Sequence, residues 1–170
     1  MNRETVESAF LEIGMHSKLN KDERANFVGK ATAKLFSELS GYDVDLKKIF
    51  DGKIPNNGYN SAIEFHCINF YSHCKHHFSP IIGKISVSYV PNEWIIGLSR
   101  ITDCVFALTK RLQLQEGLTM EVAQAIFDGV EAKSVTVEIS AVHYCMQKTM
   151  ENLPEIRTSH TILRDLLQSR

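Results

Sequence analysis

Gly83-Lys84-Ile85-Ser86-Val87-Ser88-Tyr89-Val90 alternates apolar with polar side chains, placing Ile85, Val87 and Tyr89 on one face, and Pro91-Asn92 ends the run. Alternation with a period of two marks a strand with one buried face. The pattern returns at Ser134-Val135-Thr136-Val137-Glu138-Ile139-Ser140-Ala141-Val142. An aromatic-rich alternating stretch also runs from Ala62 to His73. Between the second and third of these strands lie two helical stretches, residues 99–114 and 119–132. Thr119 is the expected cap of the latter, and Val122, Ala125, Ile126 and Val130 form its buried stripe. Two strands, two helices and a further strand predict an α+β fold, a sheet backed by a helix pair.

Working outward, residues 4–14 and 22–40 have amphipathic helical spacing, with Gly41 as the stop of the second helix. Residues 41–60 hold Gly41, Gly52, Pro55, Asn56, Asn57 and Gly58 and are expected to form a connector with little regular structure. A weaker last strand is expected near 145–160, in front of a polar tail with a short helical end around Leu163 to Leu167. The expected organisation is residues 1–60 as N-terminal helices and connector, then 61–170 as one catalytic unit.

The 170 residues carry 20 acidic and 19 basic side chains, a formal net charge of -1. That balance lacks the electrostatic footprint of a nucleic-acid binder. No apolar run approaches the ~20 residues of a membrane helix. Met1-Asn2-Arg3-Glu4 leads into no apolar stretch of a secretory signal. A soluble cytoplasmic protein, bound to neither membrane nor nucleic acid, is the expectation.

Four cysteines are present: Cys67, Cys74, Cys104 and Cys145. In a reducing compartment, thiols with histidine neighbours are the informative ones. Cys104 lies in an apolar helical stripe and Cys67 in an alternating segment, so both are expected in the core. Cys74 stands in His73-Cys74-Lys75-His76-His77 and Cys145 in His143-Tyr144-Cys145, after the first and last strands. A thiolate and an imidazole three positions apart reach one ion when the chain turns between them. A thiolate from a distant strand would complete a Cys2His zinc site with an open fourth position. The bland alternative is that Cys-x-x-His arises by chance.

More specific is the ordered set Phe70-Tyr71-Ser72-His73-Cys74-Lys75-His76-His77-Phe78-Ser79-Pro80, Gly83-Lys84, Tyr89-Val90-Pro91 and Ile96-Gly97-Leu98-Ser99-Arg100-Ile101. It continues with Arg111-Leu112-Gln113-Leu114-Gln115-Glu116-Gly117-Leu118-Thr119 and Ala141-Val142-His143-Tyr144-Cys145-Met146. From about residue 62 to 147, half of the chain, these blocks resemble GTP cyclohydrolase I in order and approximate spacing. Ser40-Gly41-Tyr42 extends the likeness more loosely into the N-terminal part.

The resemblance implies a zinc-dependent enzyme that opens the imidazole ring of a guanine nucleotide, releases formate and yields a dihydroneopterin-type product. It implies Cys74, His77 and Cys145 as zinc ligands and His76 and His143 as proton-transfer residues. Gln115 and Glu116 match the pair that reads the guanine edge, and Ser99 matches a serine tied to rearrangement of the opened ribose. Arg100 keeps a positive charge expected to bind substrate. The implied fold is the tunnelling fold, assembled as a homo-oligomer, a toroidal decamer with active sites between subunits.

The departures cluster at the phosphate end. Asp103 and Thr149 stand where the family carries arginines, and Met150 follows where glycine is usual. The Thr-Pro-x-Arg block of the N-terminal helix is missing, leaving only Lys30 in Val28-Gly29-Lys30-Ala31. Lys75 replaces an acidic residue, and Lys148 is a neighbouring charge that compensates in part. A charge-assisted hydrogen bond contributes ~1.5–3 kcal/mol. Losing three such residues costs about 4–9 kcal/mol, or roughly three to six decades in transition-state binding. The expectation is a substrate with fewer phosphates than GTP. Two other readings stand beside this one. A nitrile reductase of the 7-deazaguanine pathway needs a nucleophilic cysteine, whereas Cys74 and Cys145 look committed to metal. A non-catalytic binding or assembly subunit has no use for His76 and His143.

Overall fold

A computed structural model describes residues 1–146 and 153–164. Lys148, Thr149, Met150 and all but the start of the helical end expected at 163–167 lie outside the described residues. The chain divides into two compact units, Met1–Ser40 and Gly41–Arg170.

The first unit is a helix pair, α1 (Arg3–His16) and α2 (Lys21–Glu38). Asn20 starts α2 with a capping box, its side chain accepting from the Asp22 and Glu23 backbones while Glu23 reaches back to the Asn20 backbone. Such reciprocal caps satisfy donors that a helix start leaves open. Phe10 of α1 meets Phe27 of α2 edge to face, with ring centroids 6.0 Å apart.

In the second unit, residues 41–60 are more regular than the turn-formers predict. They hold the end of a 3-10 turn (Ser40–Asp43), the short α3 (Leu46–Ile49) and β1 (Ile54–Pro55), which pairs with β4 (Trp94–Ile95). The main elements follow: β2 (Ile63–Cys74), β3 (Pro80–Val90), α4 (Leu98–Thr109), β5 (Leu112–Gln113), α5 (Gln115–Val130), β6 (Ser134–His143) and β7 (Glu155–Leu163). Among the described residues the main sheet has the order β5-β2-β3-β6-β7, antiparallel throughout except for the short parallel β5–β2 pair. The α+β class and the sheet backed by two helices are as the sequence predicts.

One face of the sheet forms the core. Ile85, Val87 and Tyr89 of β3 and Val135, Val137 and Ile139 of β6 are all at most 1% exposed. They cluster with Ile101, Val105 and Leu108 of α4 and Leu118, Val122, Ile126 and Val130 of α5. Cys104 belongs to this cluster, as expected. Ala125 is only half-buried, and Ala123 takes a core position instead.

Four expectations need correction. The helix expected over 99–114 ends at Thr109, because residues 112 and 113 turn out to pair with the end of β2. The next helix starts at Gln115, not after a cap at Thr119, whose hydroxyl lies inside it and donates to the Gln115 carbonyl. Leu163 closes β7 as a strand residue, paired with Ser134. Cys67 is exposed rather than in the core, with φ of 57° at the break in register between Phe65 and Ile68. An extra residue in one strand of a ladder makes a bulge and turns its side chain off the alternating pattern.

The two thiols therefore predict opposite reactivity. Burial pushes Cys104 up to about 12, against the opposing charge of Arg111. Brief alkylation of the native protein is expected to label Cys67 and to reach Cys104 only after denaturation, as peptide mapping by mass would record. Because the folded value lies above the ordinary 9.0, this contribution to stability is full below pH 9 and is lost as pH rises toward about 12.

Gly41 is glycine because of a close approach. A Cβ there would lie 1.9 Å from the Ala107 carbonyl oxygen. Its N–H donates to the Lys110 carbonyl at 3.0 Å and its carbonyl accepts from Arg111 Nε at 3.0 Å, tying this turn to the end of α4. Gly41→Ala is expected to cost about 1–3 kcal/mol through forced backbone movement, measurable as a lower midpoint in urea.

Candidate active site

The end of β2 carries His73 and Cys74, and β3 returns after a tight turn. Cys74 N–H donates to the Ser79 carbonyl and Phe78 N–H to the Cys74 carbonyl, each at 2.8 Å. Phe78 closes this turn at φ of 56° and stacks on His73, with centroids 4.7 Å apart. His73 is buried, with Tyr71 against its edge and the Tyr71 hydroxyl 3.2 Å from Nε2. It supports the turn from below, while His76 and His77 stand exposed with perpendicular rings.

Register brings the second half of the group to the same place. The first residues of β3 pair on one side with β2 (His73↔Pro80) and on the other with β6 (Ile81↔His143). Cys74 and Cys145, 71 positions apart, thus end up flanking one strand end. Cys145 sits in a 3-10 turn, Tyr144–Met146, directly after β6. One ligand atom from each of Cys74, His77 and Cys145 lies within 4.8 Å of the others, and Cys74 Sγ is 3.8 Å from His77 Nδ1.

All three atoms are donors suited to a soft or borderline cation, and both thiols are free. Burial opposes ionisation of Cys74. Hydrogen bonds from His77, from the backbones of His76 and His77 and from Cys145 outweigh it and hold this thiol below its ordinary value. Cys145 is pushed up by burial and by the hydrogen bond and charge of Cys74. Two such groups cannot both ionise cheaply without a cation between them. The residues fit a Cys2His metal centre.

His143, at the end of β6, is half-buried, and burial lowers its pKa against the opposing charge of Glu116. Glu116 is exposed in the first turn of α5. Gln115 is 2% exposed, with its Oε1 2.8 Å from His143 Nε2 and its amide nitrogen facing the carbonyls of Ile139 and Ile156. Thr158 of β7 and Thr119 of α5 complete this polar group, their hydroxyls 2.7 Å apart. Residue chemistry and spacing point to neither threonine. Nothing about a hydroxyl 43 positions from Gln115 marks it as a neighbour until the register of β7 is known.

Ser99 and Arg100 lie exposed in the first turn of α4 and make local contacts. The Ser99 carbonyl accepts from Thr102 Oγ1 at 2.7 Å, and Arg100 Nη1 lies 3.8 Å from Asp103 Oδ2. Asp103 thus faces the cation that the sequence retains. Arg111 is committed elsewhere, bonded to Gly41, 3.9 Å from Glu121 and over the ring of Tyr42. Lys75 is exposed beside a hollow of about 240 Å³ that Arg111 and Glu121 also line.

The sheet backed by two helices, with thiols and imidazoles gathered at one strand end, defines a protein of the α+β class with a candidate metal site. Residues 6–169 match the family described as GTP cyclohydrolase I, and the chain belongs to that family. The GTP cyclohydrolase 1 of Pelagibacter ubique (strain HTCC1062) is 43% identical over 119 residues, 69% of this chain and 59% of that protein. That of Campylobacter curvus (strain 525.92) is 37% identical over 122 residues, 72% of this chain and 63% of that protein. The matched part therefore spans about three fifths of these relatives. Among solved structures, an archaeosine synthase QueF-Like in the apo form covers 58% of this chain and 92% of its own, at 16% identity and a TM-score of 0.47.

Proposed function

We propose that this chain is a zinc-dependent cyclohydrolase that opens the imidazole ring of a guanine nucleotide or related purine and releases formate. The observation that carries the proposal is the convergence of Cys74, His77 and Cys145 within 4.8 Å, next to His143. These three residues would hold the ion, which supplies Lewis acidity and makes water a usable nucleophile near neutral pH.

Around it, each side chain has a task that suits its chemistry. The carboxylate of Glu116 accepts from guanine N1–H and the 2-amino group, a pair that adenine does not offer. His76 passes a proton to N7 as water adds at C8. His143 moves the proton that accompanies cleavage of C8–N9, and a second hydrolysis breaks C8–N7 and frees formate. Ser99 serves the later rearrangement of the ribose toward a dihydroneopterin-type product, and Arg100 holds the polar end of the substrate.

Asp103 within 3.8 Å of Arg100 favours a substrate with fewer phosphates than GTP. The free thiols suit a reducing, cytoplasmic setting. No helix among the described residues is long and apolar enough to cross a membrane. Assembly into a ring, up to a decamer, is supported by two sheet edges. Among the described residues, β5 covers β2 only at His73 and Cys74, and β7 is last in the sheet order. Unpaired edges are templates for pairing with another chain.

Metal analysis of the purified protein and a panel of GTP, GDP, GMP, guanosine and guanine, assayed for formate and pterin fluorescence, test the proposal. About one zinc per chain and formate from at least one guanine compound are expected, and His143→Ala is expected to abolish formate release with zinc retained. A metal-free protein with a Cys74–Cys145 disulfide under reducing conditions would sink the proposal.

A further inference from the structure

The two ends of a glutamine amide are not equivalent. The nitrogen only donates and the oxygen only accepts. At Gln115, Nε2 lies 3.2 Å from the Ile139 carbonyl and 2.9 Å from the Ile156 carbonyl, with the Thr158 hydroxyl also at 3.2 Å. Carbonyls cannot donate, so the opposite orientation would set three oxygens against one another in a site only 2% exposed. Oε1 must therefore be the atom facing His143, and it lies 2.8 Å from Nε2. An acceptor at that distance requires the proton to sit on Nε2.

We infer that Gln115 is a positioning residue that holds the proton of neutral His143 on Nε2 and leaves the Nδ1 lone pair free, and that it does not read the guanine edge. The amide geometry stands by itself, whereas its bearing on catalysis rests on the proposed role of His143. Both amide hydrogens of Gln115 already face partners within the chain, so base recognition falls to Glu116, the exposed residue beside it.

The orientation is fixed from three elements. Ile139 belongs to β6 and Ile156 to β7. Thr158 of β7 shares a hydrogen bond with Thr119 of α5, and Thr119 donates to the Gln115 carbonyl at 2.7 Å. Gln115, Thr158 and Thr119 thus close a ring of hydrogen bonds, and the last strand of the sheet acts on the site through it. Partners of this kind, which orient a functional histidine through its other nitrogen, fix its tautomer.

The test uses zinc-loaded full-length protein labelled with 15N-histidine, at about pH 8, where neutral imidazole predominates. Two-bond 1H–15N correlation distinguishes the tautomers, and the His143 signals are those lost in His143→Ala. The expected pattern is a protonated Nε2 and a bare Nδ1, turning to a mixture in Gln115→Met with zinc content unchanged. In kinetics, Gln115→Met is expected to lower kcat about 10–100-fold with little change in KM. Thr158→Val, which leaves the glutamine in place, should give a smaller loss of the same kind.

A proton on Nδ1 in the unsubstituted protein overturns the inference without any variant having to fold. So does a Gln115→Met spectrum identical to the original, or a raised KM with kcat unchanged, the result expected of a base reader. Absence of formate release from every purine would defeat the proposed reaction instead and leave the tautomer assignment to the spectra.

Discussion

Cys145→Ala is expected to empty the metal centre and abolish formate release in one step, while the fold survives. The three donors of Cys74, His77 and Cys145 come from two turns that meet only because β3 pairs with both β2 and β6. Removing one thiolate leaves a Cys-His pair from a single turn, without the bridge across β3. Partners outside the ligand set typically cost about 10–100-fold in metal affinity or activity, and loss of a ligand should exceed that range. Cys145 follows β6 in a 3-10 turn and is only partly buried, so the core formed by Val135, Val137 and Ile139 stays intact. Zinc content, formate release and the unfolding midpoint are the three measurements. Cys67→Ala, at the exposed bulge, should leave all three unchanged. Full zinc occupancy in Cys145→Ala would remove Cys145 from the ligand set.

The second large effect concerns phosphate. Asp103→Arg is expected to raise kcat/KM for GTP relative to guanosine by about ten- to a hundredfold, on the scale of one charge-assisted hydrogen bond plus the release of Arg100. Arg100 and Asp103 lie 3.8 Å apart with each side chain 49% exposed. The pair adds little to stability in water, where exposed ion pairs contribute about 0–1 kcal/mol. What it does is cancel the retained cation. The substitution removes one negative charge and adds one positive charge on the same helix face. The gain should shrink at high salt, since exposed charges are screened over about 10 Å at 0.1 M. Comparison of GTP, GMP and guanosine at two salt concentrations gives the answer. Vigorous turnover of GTP by the unsubstituted protein at a low KM would refute the expectation of a substrate with fewer phosphates.

Much of the fold was legible because its signals are local. β2, β3 and β6 announce themselves by alternation, α1 and α2 by helical spacing, and Ile85, Val87 and Tyr89 are buried as their shared face requires. The errors fall where distant chain segments meet. Residues 112 and 113 continue a helical pattern on their own, yet they become β5 because the end of β2 offers them hydrogen bonds. Cys67 sits in an alternating run, yet a bulge turns it outward, and no local rule marks which residue of a strand will be the extra one.

The candidate site divides in the same way. Residue chemistry and spacing by themselves left a Cys-x-x-His metal site beside a chance arrangement, and it was the resemblance that implied Cys74, His77 and Cys145 as ligands. The sequence also carried the blocks that resemble GTP cyclohydrolase I, and with them family membership. Only the tertiary structure decided that the three donors converge, since that depends on one strand, β3, pairing with both neighbours. It decided too that the amide of Gln115 is turned toward His143 and away from solvent. That orientation follows from two carbonyls and a hydroxyl on β6 and β7, which approach Gln115 only once the sheet has formed its register. A sequence lists which groups can donate and accept, and the register of the sheet determines which of them meet.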